Sequence, residues 1–134
     1  MEHIGFTGTQ AGMTIRQRNQ LRRILQSYFD QGAVYFHHGD CIGADEQAHD
    51  IAEEIGYKVI IHPPVNPKKR AFKKPFIARN PKQYMDRNQD IVDESDILIG
   101  APKEEIEQLR SGTWSTVRRA IKAEREVILL KLHD

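Results

Sequence analysis

Apolar residues fall into five short runs, at residues 4–9, 33–38, 57–62, 96–100 and 126–132. Each of the first four is followed, directly or after a loop, by a stretch whose apolar positions recur at helical spacing. In residues 14–31 these are Ile15, Leu21, Ile24, Leu25, Tyr28 and Phe29. Thr14 stands ready as N-cap, Gln17 completes a capping box, and Gly32 stops the run. Residues 44–55 carry Ala44, Ala48, Ile51, Ala52 and Ile55 and close on Gly56. Residues 83–94 direct Tyr84, Met85, Ile91 and Val92 inward, and a last helix starts at the N-cap Ser111 and runs to residue 123. Strict alternation of strand and helix predicts an α/β chain: a three-layer αβα sandwich around a five-stranded, mainly parallel sheet with right-handed crossovers. Pro63 and Pro64 end the third strand, because proline cannot donate to a ladder. The segment 65–81 that follows is a long basic loop, read either as a lid or as a solvated surface.

Composition narrows the function. With 134 residues the chain suits one domain, 1–134, with room for a substantial core. Twenty basic residues against nineteen acidic ones leave a net charge of +1, which gives nucleic acid no broad electrostatic footprint. The arginines at 16, 18, 22 and 23 read as a solvated helix face. A single cysteine, Cys41, excludes an internal disulfide framework and a cysteine zinc cluster. No run is long enough to span a bilayer, and the start Met-Glu-His-Ile-Gly lacks a leader pattern, so a cytoplasmic protein without membrane partners is expected.

In a parallel sheet of this kind ligands bind beyond the carboxyl ends of the strands, where strand order switches. Four stretches converge there: Thr7-Gly8-Thr9, then Gly39 to Asp45 with Gly43, then the loop after His62, then residues 100–116. In the last, Ser111-Gly112-Thr113 opens a helix whose first amides lack intrahelical partners. Arg110, Ser115 and Thr116 flank it, which makes an anion site of what could otherwise be ordinary N-cap chemistry. Arg87, beside Asn88, is read either as a bidentate clamp or as the partner of Asp86, Asp90 or Asp93. Asp45 either complements the dipole of its own helix or faces the ligand. Trp114 reads as a core anchor or a contact residue. His37 and His38 point to opposite faces of a strand with no third soft ligand nearby in the sequence, so no metal is expected.

Thr7-Gly8-Thr9, His38-Gly39-x-Cys41-x-Gly43-Ala44-Asp45 with Ala48 and Ala52, His62-Pro63, Arg87-Asn88 with Asp96, and Ser111-Gly112-Thr113 with Ala120 together resemble the SLOG superfamily. The likeness is greatest to its small bacterial and phage members of the YspA type. The resemblance implies a Rossmann-like fold that binds nucleotides or nucleotide-derived ligands, and it extends to the Lonely Guy phosphoribohydrolases and DNA-processing protein A. It implies Thr7, Gly8, Thr9, Gly39, Gly43, Asp45, Arg87, Asn88, Arg110, Ser111, Gly112, Thr113, Ser115 and Thr116 as the ligand- and phosphate-binding set. Arg87 matches the Lonely Guy arginine and Gly112-Thr113 its phosphate-holding pair, but Thr116 stands where the glutamate of that mechanism belongs. A threonine hydroxyl cannot act as that carboxylate near neutral pH. The expectation is therefore a binding or sensing protein with a small-molecule, nucleotide-like partner, no resident cofactor, and the dimerisation often found in the superfamily. The alternative is an N-glycosidic hydrolase with Arg87 and Asp45 as catalytic residues. A DNA-binding role through the basic loop ranks third.

Overall fold

The structure, a computed structural model, describes residues 1–133. Its strands are β1 (His3–Gly8), β2 (Tyr35–His38), β3 (Lys58–Ile61), β4 (Ile77–Ala78), β5 (Ile97–Ala101) and β6 (Glu126–Leu129). Its α-helices are α1 (Ile15–Asp30), α2 (Ala44–Ile55), α3 (Tyr84–Asp93) and α4 (Gly112–Lys122). All neighbouring strands pair in parallel in the order β4-β3-β2-β1-β5-β6. The sheet thus has six strands, one more than expected. The extra strand, β4, is a two-residue edge inside the basic loop, too short for periodicity to reveal and paired only through Ile60 and Ile61. A single 3₁₀ turn, Pro67–Lys69, also lies in that loop.

The two faces bury different side chains because alternate strand residues point in opposite directions. On one face Ile4, Phe6, Phe36, Val59, Ile61, Ile97 and Ile99 pack against Leu21 and Leu25 of α1 and Ala44, Ala48, Ile51 and Ala52 of α2. On the other, Leu98 meets Ile91 and Val92 of α3 and Trp114, Val117 and Ala120 of α4. Trp114 is therefore a core anchor. Tyr84 and Met85, expected inside, are exposed instead; of the apolar residues of α3 only Ile91 and Val92, in its second half, join the core.

Helix α1 begins as its sequence requires. The Thr14 hydroxyl accepts from the Gln17 amide at 3.1 Å, and the Gln17 side chain accepts from the Thr14 amide at 3.1 Å. The buried Gln17 also donates to Pro102 O at 2.9 Å, tying α1 to the segment after β5. From β1 the chain steps outward through β2 and β3 to β4, then returns to the far side of β1 as β5. The connections leaving β1 and β5 consequently diverge, and the gap between them is where the topology opens a crevice.

Candidate functional site

An open cleft of about 320 Å³ occupies that gap. Thr7, Gly8, Thr9 and Gln10 line it from β1 and its loop, and Gly39, Cys41 and Asp45 from the β2–α2 connection. Tyr84, Arg87, Asn88 and Ile91 come from one face of α3, and Lys103, Glu104, Ser111, Gly112 and Thr113 from the segment entering α4. Four stretches far apart in sequence thus share one wall-to-wall space. Of the sequence-derived set, Gly43, Arg110, Ser115 and Thr116 lie outside it. Gly43 is the N-cap of α2 at φ +90°, and a Cβ there would come within 2.3 Å of Gln10 O, so its role is to turn the chain. Arg110 is exposed. Ser115 faces a separate hollow beside Arg118 and Arg119. Thr116 is fully buried and donates its hydroxyl to Gly112 O at 3.0 Å, which closes the first turn of α4.

Arg87 does not pair with Asp86, Asp90 or Asp93. Its guanidinium is buried; Nη1 donates to Gly39 O at 2.5 Å and to His62 O at 3.0 Å, Nε donates to Asn88 Oδ1 at 2.8 Å, and Nη2 lies 3.5 Å from Cys41 Sγ. It joins the carboxyl ends of β2 and β3 and brings its charge to the cleft floor, with no carboxylate ion-paired to it among the described residues. Gly39 makes room for it: a Cβ at that position would sit 2.3 Å from Nη1 and 2.6 Å from Cζ. Tyr84 lies 5.1 Å from the guanidinium and completes the cover.

Asp45 lies in the first turn of α2. Its Oδ2 accepts from the Cys41 amide at 3.2 Å, while Oδ1 is buried with no hydrogen-bond partner among the described residues. Burial raises its pKa from 3.8 to about 6, and the Arg87 charge and nearby backbone amides pull it part of the way back. Across the cleft, Ser111 caps α4 by accepting from the Trp114 amide at 3.2 Å, and the Gly112 and Thr113 amides occupy the first turn, where the helix makes no use of them. The cleft therefore presents an anion-favouring helix end and a buried cation, and its wall includes Asp45, whose buried Oδ1 has no partner among the described residues.

Sequence reasoning missed several residues here. Lys103 and Glu104 sit in a segment that reads only as an acidic insertion, Gln10 has no pattern of its own, and Cys41 belongs to the His38 to Asp45 motif but has no part in the implied binding set. Burial and neighbouring carboxylates push the Cys41 thiol up, away from the reactive thiolate. Asp40, fully buried at φ 55°, ties down the basic loop by accepting from Arg70 Nε at 2.9 Å and the Lys73 amide at 3.1 Å. Other cations of the loop are also engaged, Lys73 with Asp50 and Arg79 with Glu94, and none of residues 65–81 lines the cleft.

The histidines are paired as well. His38 and His37 do point to opposite faces. On one, His38 Nδ1 accepts from the Asp40 amide and Nε2 lies 2.8 Å from His49 Nδ1. On the other, His3, His37 and His62 form a row joined at 2.8 and 2.9 Å. Burial lowers the pKa of His37 to about 3 and of His62 to about 4, so both rings are neutral at pH 7.

Neither a protein-family model nor a curated protein matches the chain by sequence. Solved structures do match by fold. The molybdenum cofactor binding protein of the phototrophic bacterium Rippkaea orientalis superposes with a TM-score of 0.73 at 22% identity, over 96% of this chain and 75% of that one. The Moco carrier protein of Chlamydomonas reinhardtii gives 0.70 at 20% identity, over 96% and 75%. DNA processing protein A of Streptococcus pneumoniae gives 0.67 at 18%, over 96% of this chain and 50% of that one. These likenesses, all below 25% identity, show the Rossmann-like α/β fold that the sequence led one to expect.

Proposed function

We propose that the chain is a binding or sensing protein for a nucleotide or nucleotide-derived phosphate ligand, held in the cleft between β1 and β5. Two opposite demands on a ligand support this reading. The amides of Gly112 and Thr113 and the charge of Arg87 favour an anion. The unpaired Oδ1 of Asp45 favours a hydrogen-bond donor, since a buried acceptor without a partner costs about 1–3 kcal/mol that a donor recovers. A phosphate and a sugar hydroxyl on one small molecule meet both demands. Asp45 is the observation that carries the proposal, because it adds to the helix end a second point of recognition with different chemistry. Arg87 is spent mainly on backbone carbonyls, so its part is to position the floor and polarise it.

The molybdenum cofactor binding and carrier proteins of the same fold are consistent with a ligand cleft here, and they widen the panel worth testing. Thermal shift and calorimetry with nucleoside mono-, di- and cyclic phosphates are the direct test. A true ligand at one hundred times its Kd stabilises by about 2.7 kcal/mol. A panel without any shift, or a ligand bound equally well by Asp45→Asn, overturns the proposal.

One observation favours a second reading, hydrolysis of an N-glycosidic bond. With a pKa near 6, Asp45 is placed to exchange a proton close to neutral pH, and Glu104 is a second carboxylate on the rim. Release of free base from nucleoside monophosphates, abolished in Asp45→Asn, would establish it; a bound nucleotide recovered intact would leave binding as the function.

A further inference from the structure

His37, His62 and Glu94 come from β2, from the end of β3 and from the residue that closes α3, yet one ligand atom of each lies within 4.8 Å of the others. In the sequence they are separated by 25 and 32 positions, and His37 shows no third ligand. Folding supplies it. We propose that these three side chains form a binding site for a divalent transition-metal ion of the zinc class, behind the floor of the cleft and separate from it.

The donor set fits that class of ion. Two imidazole nitrogens and one carboxylate oxygen are the ligands of open zinc, cobalt or nickel sites, whereas calcium and magnesium call for oxygen throughout. His37 Nδ1 and His62 Nε2 are 2.9 Å apart, and a tetrahedral ion with bonds of about 2.05 Å needs them near 3.3 Å, a small outward movement of two rings. Glu94 Oε2 lies 4.0 Å from His62 Nδ1, the ring nitrogen turned away from His37, so an ion shared by all three needs the His62 ring to rotate as well as shift. Its other oxygen is already held by Arg79 at 2.6 and 3.1 Å, which leaves Oε2 for the ion.

Supporting contacts of the kind that orient metal ligands are also present. His37 Nε2 sits 2.8 Å from His3 Nδ1, so a ring ligating through Nδ1 can donate its remaining N–H to His3. With its proton on Nε2, His37 keeps the bond to His3 and has the Nδ1 lone pair free for the ion. His3 is fixed in turn by Asp96, which accepts from the His3 and Glu2 amides at 3.0 Å each. Three ligands leave a fourth position for water. His62 links the ion to the cleft, because its carbonyl seats Arg87 at 3.0 Å.

The site is tested with metal alone. Untagged full-length protein, stripped with chelator, is titrated with Co²⁺ and Zn²⁺ and followed by visible absorption, calorimetry and melting temperature. One ion per chain, tetrahedral cobalt bands and a raised melting temperature are expected. His62→Gln should abolish the bands, and Glu94→Gln, at a half-buried position that tolerates the change, should weaken binding at least tenfold with the fold intact by circular dichroism. His3→Ala should cost about 10- to 100-fold. His49→Gln and His133→Ala should change nothing. Absence of stoichiometric binding, affinity unchanged in Glu94→Gln, or bands lost on His133→Ala would overturn the proposal. No nucleotide enters the experiment, so its failure is independent of the ligand reading.

Discussion

At the level of single residues, Asp45, the proposed ligand contact, makes the fold's stability depend on pH. Its proton is held more tightly in the folded protein, at a pKa of about 6, than in the unfolded chain at 3.8. The residue therefore favours folding below pH 3.8, and that contribution is lost as pH rises through about 6. Asp45→Asn should be more stable than the parent at pH 7, by an amount on the order of 3 kcal/mol, with the advantage vanishing below pH 4. Urea denaturation at a series of pH values measures it, and parallel stability curves for the two proteins would contradict it. The same substitution should weaken the cleft ligand about tenfold or more, since an amide no longer offers the charged acceptor. Gain of stability with loss of binding is the mark of a residue kept for function.

At the level of elements, the N-terminus of α4 makes an opposite pair of predictions. Gly112 is exposed, takes an ordinary helical position, and has open space where a Cβ would stand. Gly112→Glu places a carboxylate on the positive end of the helix dipole and removes a flexible residue, so it should stabilise the fold by about 0.5–1 kcal/mol. It also occupies the place proposed for the phosphate. Calorimetry should find binding of a phosphate-bearing ligand lost, and retention of full affinity would remove α4 from the site. The contrast with α2 is instructive: that helix carries Asp45 and Glu46 in its own first turn, and Glu46 Oε1 accepts from the Gly43 amide at 2.9 Å, so its positive end is already satisfied from within.

At the level of the whole molecule, the order β4-β3-β2-β1-β5-β6 decides what meets. If the cleft is the binding site, ligand should slow amide hydrogen exchange in residues 7–10, 39–45 and 111–113 together, while β6 and the outer face of α1 are unaffected. Protection confined to one segment would place the ligand elsewhere. Much of this architecture was legible beforehand. The spacing of Leu21, Leu25 and Tyr28, the capping pair Thr14 and Gln17, and the glycines at 32 and 56 are local signals, and local signals set helix and strand. Their alternation then allows little besides a parallel sheet with its loops at one rim. The chain could not show β4, whose two residues form a strand only because β3 offers an edge. Nor could it show that Arg87 would spend its donors on the carbonyls of Gly39 and His62, or that Asp45 would keep one oxygen unpaired, or that His62 and Glu94 would stand beside His37. Periodicity reports which way a side chain faces within its own element. Partners, burial and pKa depend on which elements become neighbours, and the strand order alone fixed that.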